Sequence, residues 1–287
     1  MRNKATYWLL FLLLCPGLCV LPSAAYGQDS LVLGVHPFQS LDILEEQFSP
    51  LVDYLSTETG FEVQLRVGTS YQEHIDALGH DRIDLAYIGP VGYVQMVDRY
   101  GQKPLIAVQE VNGQPFFQGV ILARVDSGFD SLADLNEGDF AFVDRHSTMG
   151  FFLPASILLQ HNPAIIEEKR YQFLRTHENV ALGVLAGDFV AGAVKENVFQ
   201  AYKQSGLKIL TKTPPVTEHL FVASSKLSSQ TLATLRNLIL ELHTSSRGQA
   251  AMRSIKPSIS RFVPANDAAY DSLRTIMSEL ERKGLLQ

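Results

Sequence analysis

Apolar runs of strand length alternate with helical repeats along most of this chain. "SLVLGVHP" (30–37) reads as a strand and a loop, and "LDILEEQFSPLVDYLSTETG" (41–60) places Leu41, Leu44, Phe48, Leu51 and Leu55 at helical spacing before Gly60, a natural C-cap. "FEVQLRVG" (61–68) alternates as a strand, "SYQEHIDALGHDRI" (70–83) forms a short helix, and "DLAYIGP" (84–90) is a buried strand closed by a Gly-Pro break. This βαβαβ order predicts a parallel sheet covered by helices. "VGYVQMVDRYG" (91–101) continues as a helix, and "KPLIAVQEV" (103–111) and "FFQGVILARVDS" (116–127) are further strands. A second α/β set follows: "FAFVD" (140–144), a "STMG" junction (147–150), a helix to about Gln160, "YQFLRT" (171–176), "ENVALGVLAGD" (178–188), "FVAGAVKEN" (189–197) and "LKILTKTP" (207–214). The chain closes with a strand in "EHLFVASS" (218–225) and helical runs at 228–246 and 266–284. Repeats, low-complexity tracts and long linkers are missing from the sequence.

The first residues do not fit this pattern. Arg2 and Lys4 precede an apolar run from Trp8 to Cys15, and the small-residue segment "LPSAAYG" follows, which is the layout of a secretory signal peptide cut near Gln28. The run is short for a membrane span, which needs roughly 20 apolar residues. Residues 1–27 are therefore expected to be removed, and the mature chain to be periplasmic. Both cysteines, Cys15 and Cys19, would leave with this segment, so no disulfide framework is expected. Removal also takes away two of the 24 basic residues and none of the 30 acidic ones, moving the formal charge from −6 to −8. Such a balance argues against nucleic acid, which calls for a basic face. Any anion must be held by local groups rather than by the overall field.

Two cysteine-free α/β lobes in an exported chain predict a two-lobed clamshell receptor of the type II periplasmic-binding class. Each lobe is expected to be a mostly parallel sheet flanked by helices, with two hinge crossovers near "FQGVILARVDS" and "TPPVTEHLFVAS". Lobe 1 is expected to comprise 28–125 plus 216–287, and lobe 2 residues 126–215. In open parallel sheets ligands sit beyond the carboxyl ends of the strands.

Four strand ends draw attention on that rule. Asp144 to Gly150 follows the strand "FAFVD" and opens a helix whose first-turn N–H groups form an anion site, with Ser147 and Thr148 adding hydroxyls and Gly150 allowing close approach. A simple Ser or Thr N-cap explains the same residues. Pro154, well inside the run that follows, predicts a late start or a kink. Tyr87 near the end of "DLAYIGP" can offer a phenol to a cleft or pack in a core. His177 opens a helix where it can donate to an oxyanion or lie on the surface. His36, in "GVHPFQS", ends the first strand and faces the same cleft.

Taken together, "AYIGPVGY", "STMGFFLP" after an acid-containing strand, and "HENVALGVLAG" resemble the PhnD-like family of phosphate, phosphite and phosphonate binding proteins of ABC transporters. The resemblance implies that Ser147, Thr148, the backbone near Met149 and Gly150, His177 and Tyr87 hold the oxygens of a tetrahedral oxyanion. It also implies a monomer that passes a small anionic ligand to a membrane permease, with neither metal nor cofactor. Two departures bear on the ligand. Where members that bind aminoalkyl phosphonates carry carboxylates, this chain has Asn197 and His219, with Glu196 and Glu218 as neighbours; and Met149 replaces a serine hydroxyl.

Enzymatic alternatives find little support in the sequence. Asp144, His146 and Ser147 are triad types crowded into one loop, and no Gly-x-Ser-x-Gly elbow accompanies them. His74 and His80 lack the His-Glu-x-x-His spacing of a zinc site, and no phosphate-cradling glycine loop occurs. A sensing role, in which the same fold reports to a membrane histidine kinase instead of a permease, leaves no distinct mark on the sequence.

Overall fold

The computed structural model describes residues 30–135 and 137–284; the expected signal peptide lies outside the described residues. The first unit is built as the βαβαβ pattern requires. Strand β1 (Ser30–Val35) is followed by α1 (Leu41–Thr59), β2 (Glu62–Val67), α2 (Tyr71–Gly79), β3 (Leu85–Ile88) and α3 (Pro90–Tyr100). β1 pairs in parallel with both β2 and β3. Helix α1 buries Leu44, Phe48, Leu51 and Leu55 on one stripe and ends where Gly60 turns left-handed at φ 74°. Leu41, expected in that stripe, is the first helical residue and stands 53% exposed, because the stripe reaches the sheet only one turn later.

β4 (Leu105–Val111) completes the outward path, and the chain then crosses between units through β5 (Phe116–Phe117). In the second unit, β6 (Gly119–Arg124), β7 (Phe140–Phe142), β8 (Tyr171–Phe173), β9 (Ala191–Lys195) and β10 (Leu207–Lys212) form one sheet. It is flanked by α4 (Leu153–His161), α5 (Ala164–Glu167), α6 (His177–Ala186) and α7 (Glu196–Tyr202). The return crossing is β11 (Val216–Thr217), which pairs antiparallel with β5. β12 (Leu220–Ala223) re-enters the first sheet between β3 and β4, antiparallel to both. Helices α8 (Ser229–Leu240) and α9 (Ser246–Ile255), strand β13 (Ile259–Val263) and helix α10 (Asp271–Arg282) end the described chain.

The sheets run β13-β4-β12-β3-β1-β2 and β10-β6-β9-β7-β8. Both are mixed, with β12, β13 and β6 set against the parallel strands. Because β6 hydrogen-bonds to β9 and β10, residues 119–125 lie with the second sheet, and the boundary expected after residue 125 moves back to the crossing at β5. The crossings are laced together: Gly119 N–H donates to Thr213 Oγ1 at 2.9 Å, and Gln118 Nε2 donates to the Thr213 carbonyl at 2.8 Å. Among the described residues no helix is long and apolar enough to cross a membrane.

Candidate ligand-binding cleft

The carboxyl ends of β1 and β3 in one sheet face those of β7 and β9 in the other, so four loops meet where the lobes touch. The β7 loop leads into a π-helical turn, Thr148–Phe152, before α4. Pro154 explains this. It has no N–H to give the Gly150 carbonyl four residues back, and that carbonyl instead accepts from Val143 N–H at 3.0 Å, at the end of β7. The turn is thereby pinned to the strand, and the late helix start expected from Pro154 is the outcome. Ser147 caps the turn, its Oγ accepting from Gly150 N–H at 3.0 Å. The N–H groups of Thr148 and Met149, first in the turn, are not consumed by it.

Opposite stands the start of α3. Gly89 is its N-cap and Pro90 its first residue, which suits a position whose N–H would have no helical partner. Val91 N–H, the next donor, is taken at 3.1 Å by Thr148 Oγ1 from the other lobe. Two helix starts therefore face each other, and both direct partial positive charge into the gap. A narrow cavity of about 10 Å³ lies there, the space of roughly one water, lined by His36, Tyr71, His74, Gly89, Gly92, His146, Ser147, Thr148, Met149, Lys195 and His219 among others. A roomier chamber of about 170 Å³ adjoins it, lined by Phe38, Gln47, Tyr87, Gln109, His177, Asn197, Glu218 and Lys256 among others. Phe117, Lys195 and His219 border both.

A chain of hydrogen bonds runs along the second chamber. Tyr87 OH donates to Gln109 Oε1 at 2.6 Å, Gln109 Nε2 donates to Glu218 Oε2 at 2.7 Å, and His219 Nδ1 lies 2.9 Å from the same oxygen. With its Nδ1 proton committed to Glu218, neutral His219 presents the lone pair of Nε2 to Lys195 Nζ at 3.3 Å. Burial opposes ionisation of Glu218, but His219 with Lys256 and Lys195 outweighs it and holds the carboxyl down at about 2. Burial, reinforced by Lys195, keeps His219 neutral, lowered to about 4. His36 donates from Nδ1 to the Tyr87 carbonyl at 3.1 Å, leaving Nε2 as an acceptor, and burial and His219 lower its pKa. His177 is the reverse tautomer: Nδ1 accepts from Lys195 N–H at 3.1 Å, so Nε2 carries the proton, buried and without a partner. His74 is buried with neither ring nitrogen partnered, and burial lowers it to about 3.

With this geometry in place, the family of ABC transporter phosphonate periplasmic substrate-binding proteins matches residues 33–270. The chain belongs to that family. Among its relatives, the phosphate-import protein PhnD of Mycolicibacterium smegmatis is 25% identical over 273 residues, covering 86% of this chain and 85% of that one. PhnD1 of Prochlorococcus marinus, solved in complex with methylphosphonate, superposes with a TM-score of 0.79 at 22% identity, covering 88% of this chain and 98% of the other. A binding protein component of an ABC phosphonate transporter from Pseudomonas aeruginosa gives 0.76 at 21% identity, over 89% and 87% of the two chains. The two-lobed α/β fold is shared throughout.

For this substrate-binding protein the residues singled out from sequence divide between the chambers. His36, Ser147, Thr148 and Met149 line the smaller, Tyr87 and His177 the larger, and Gly150 neither. The close approach that Gly150 permits is to the protein itself: a Cβ there would lie 2.4 Å from Val143 Cβ. Met149 turns its sulfur toward the Thr213 hydroxyl at 3.4 Å. Asn197 lines the larger chamber and His219 both, as does Lys195, whereas Glu196 pairs outward with Lys212. Tyr71, His74 and Gln109 carry no local signal in the sequence. Lys195 occupies the carboxyl end of β9, so the strand-end rule that found the Ser147 loop reaches it too.

Proposed function

We propose that this protein captures a tetrahedral phosphorus oxyanion, phosphate or a phosphonate, between its lobes in the periplasm and presents it to an ABC permease. The observation that carries the reading is the pair of opposed helix starts at the smaller chamber. Ser147 Oγ and Thr148 Oγ1 each accept one backbone N–H; Thr148 keeps its O–H to donate, and the Ser147 hydroxyl, which hydrogen-bonds the Tyr71 phenol, can turn to a ligand beside the N–H groups of Thr148 and Met149. Neutral His177 adds an N–H at the neighbouring chamber. Closing such donors on an anion replaces its water with fixed dipoles, the usual logic of hinge closure. Family membership supports the delivery role.

The reading is one of binding without chemistry. His146 Nδ1 lies 2.9 Å from Gln95 Oε1 and its backbone N–H donates to Asp144 Oδ1 at 2.8 Å, so the loop's acid, imidazole and hydroxyl do not form a relay onto Ser147. The test is calorimetric titration of residues 28–287 with phosphate, phosphite, methylphosphonate and sulfate, for the wild type and for Ser147→Ala/Thr148→Val. The variant is expected to fold, with stability reduced by about 1–3 kcal/mol from the lost cap and the stranded Val91 N–H, and to lose binding. Undiminished affinity in the folded variant would sink the assignment.

A further inference from the structure

Lys195 is unlike the other charged groups of the cleft. It leaves the second lobe at the end of β9 and reaches the first, where its Nζ lies 3.3 Å from His219 Nε2 and 4.4 Å from the centre of the Phe38 ring. Each of the other lysines in contact with the larger chamber or its surroundings has a carboxylate: Lys212 pairs with Glu196 at 2.7 Å and Lys256 stands 3.8 Å from Glu218. Among the described residues no carboxylate comes within ion-pair distance of Lys195. Its ammonium has three protons to give, and the neighbours that meet it are one imidazole lone pair and an aromatic face. Glu218 attracts the ammonium from beyond ion-pair distance and is already bonded to Gln109 and His219.

This arrangement forms only when the lobes come together, because Phe38 and His219 belong to one and Lys195 to the other. Closing strips water from the ammonium and returns too few partners, which costs free energy unless a charge of opposite sign is enclosed with it. An anion in either chamber meets that need, since Lys195 borders both. A neutral solute of the same shape does not. We propose that Lys195 is the cleft's charge selector, an interlobe ammonium whose missing counter-ion is the ligand, so that the lobes close stably on an anion and not on a neutral solute. The inference rests on the anion-capture reading for the identity of the ligand, but its effect on closure does not.

Protonation provides a second handle. Burial above all brings Lys195 down to about 8. The groups around it are His219 and Glu218 ahead of β12, Lys256 after α9, Glu178 and His177 on α6, and His36 after β1; the carboxylates favour its charge and Lys256 opposes it. An enclosed anion raises its pKa back above that value. Anion affinity should therefore be full below pH 8 and fall above it.

The experiment uses the mature chain carrying Lys195→Met, which keeps the stem and removes the charge, beside Lys195→Arg. Calorimetry with inorganic phosphate and with methylphosphonate is expected to show Lys195→Met binding roughly 100-fold more weakly, the scale of a broken buried charge pair, with Lys195→Arg within about tenfold of wild type. The loss of affinity above pH 8 should vanish in Lys195→Met; ionisation of the ligand is common to both proteins and cancels. In buffer without either anion, small-angle scattering should give Lys195→Met a smaller radius of gyration than wild type, because closing no longer strands a cation. Wild-type affinity in Lys195→Met overturns the proposal. Should the wild type bind neither probe, the oxyanion reading fails on its own, and scattering still decides this one: a smaller radius upholds it and an unchanged radius overturns it.

Discussion

A methyl group placed on Gly150 tests whether the ligand-facing turn is held by its packing against β7. The added Cβ would stand 2.4 Å from Val143 Cβ and Cγ2 and 2.7 Å from Ser147 Oγ. Ordinary carbon contacts need about 3.5–4.0 Å, so strand end and turn must part by roughly 1 Å. That displacement acts on the 3.0 Å bond from Val143 N–H to the Gly150 carbonyl and on the 3.0 Å Ser147 cap. Overpacking costs about 1–3 kcal/mol, and weakening one net hydrogen bond adds about 1 kcal/mol, for a total of about 2–4 kcal/mol. In a chain of this size each kcal/mol lowers the melting temperature by roughly 2–4 °C, so Gly150→Ala should melt roughly 4–16 °C below wild type by circular dichroism. Oxyanion affinity should fall with it, because the N–H groups of Thr148 and Met149 move with the turn. Val143→Gly combined with Gly150→Ala clears the worst clash, and the pair should cost less than the sum of the single changes. A Gly150→Ala protein that melts within about 2 °C of wild type and binds normally would refute the reasoning.

Acid stability should report on the neutral histidines of the cleft. His74 sits at about 3 when folded against about 6.5 unfolded, so the unfolded chain takes up its proton first. Its contribution is complete above pH 6.5 and is lost progressively toward pH 3; His74→Leu should flatten this part of a denaturation-versus-pH curve, and an unchanged slope would exclude the residue as its source. Glu218 acts at a lower range. With a folded value of about 2 it stabilises above its unfolded value near 4.5, and that stability disappears as pH falls between them. Urea melts of Glu218→Gln should lose the slope between pH 4.5 and 2, and should show weaker binding as well if the Tyr87–Gln109–Glu218–His219 chain shapes the larger chamber.

Sequence periodicity located nearly every element here because strands and helices are decided by neighbours. The α1 stripe, the buried strand before Gly89-Pro90 and the break at Pro154 are all local events. What failed was decided at long range. β6 has the same apolar look in either lobe, and only its pairing with β9 and β10 assigns it to the second. Leu41 satisfies the helical period yet faces solvent, since period fixes an angle around the axis and not where the sheet begins beneath it.

The site divides along the same line. Residues that begin helices after strands can be read from spacing, as Ser147, Thr148 and His177 are, whereas the close contact of Gly150 with Val143 cannot. Tyr71, His74 and Lys195 sit inside ordinary helical and strand patterns, and their neighbours in the cleft arrive from other parts of the chain. Chemistry written by a local motif is visible in one dimension. Charge balance is not, because whether a lysine has a counter-ion depends on every segment that folds around it. Lys195 is ordinary in "FVAGAVKEN" and becomes informative only when Phe38 and His219 close over it and bring no carboxylate within reach. On the proposed reading, the anion cleft is specified twice, once by helix starts that the sequence announces, and once by a lysine without an ion-pair partner among the described residues, which only the folded lobes reveal.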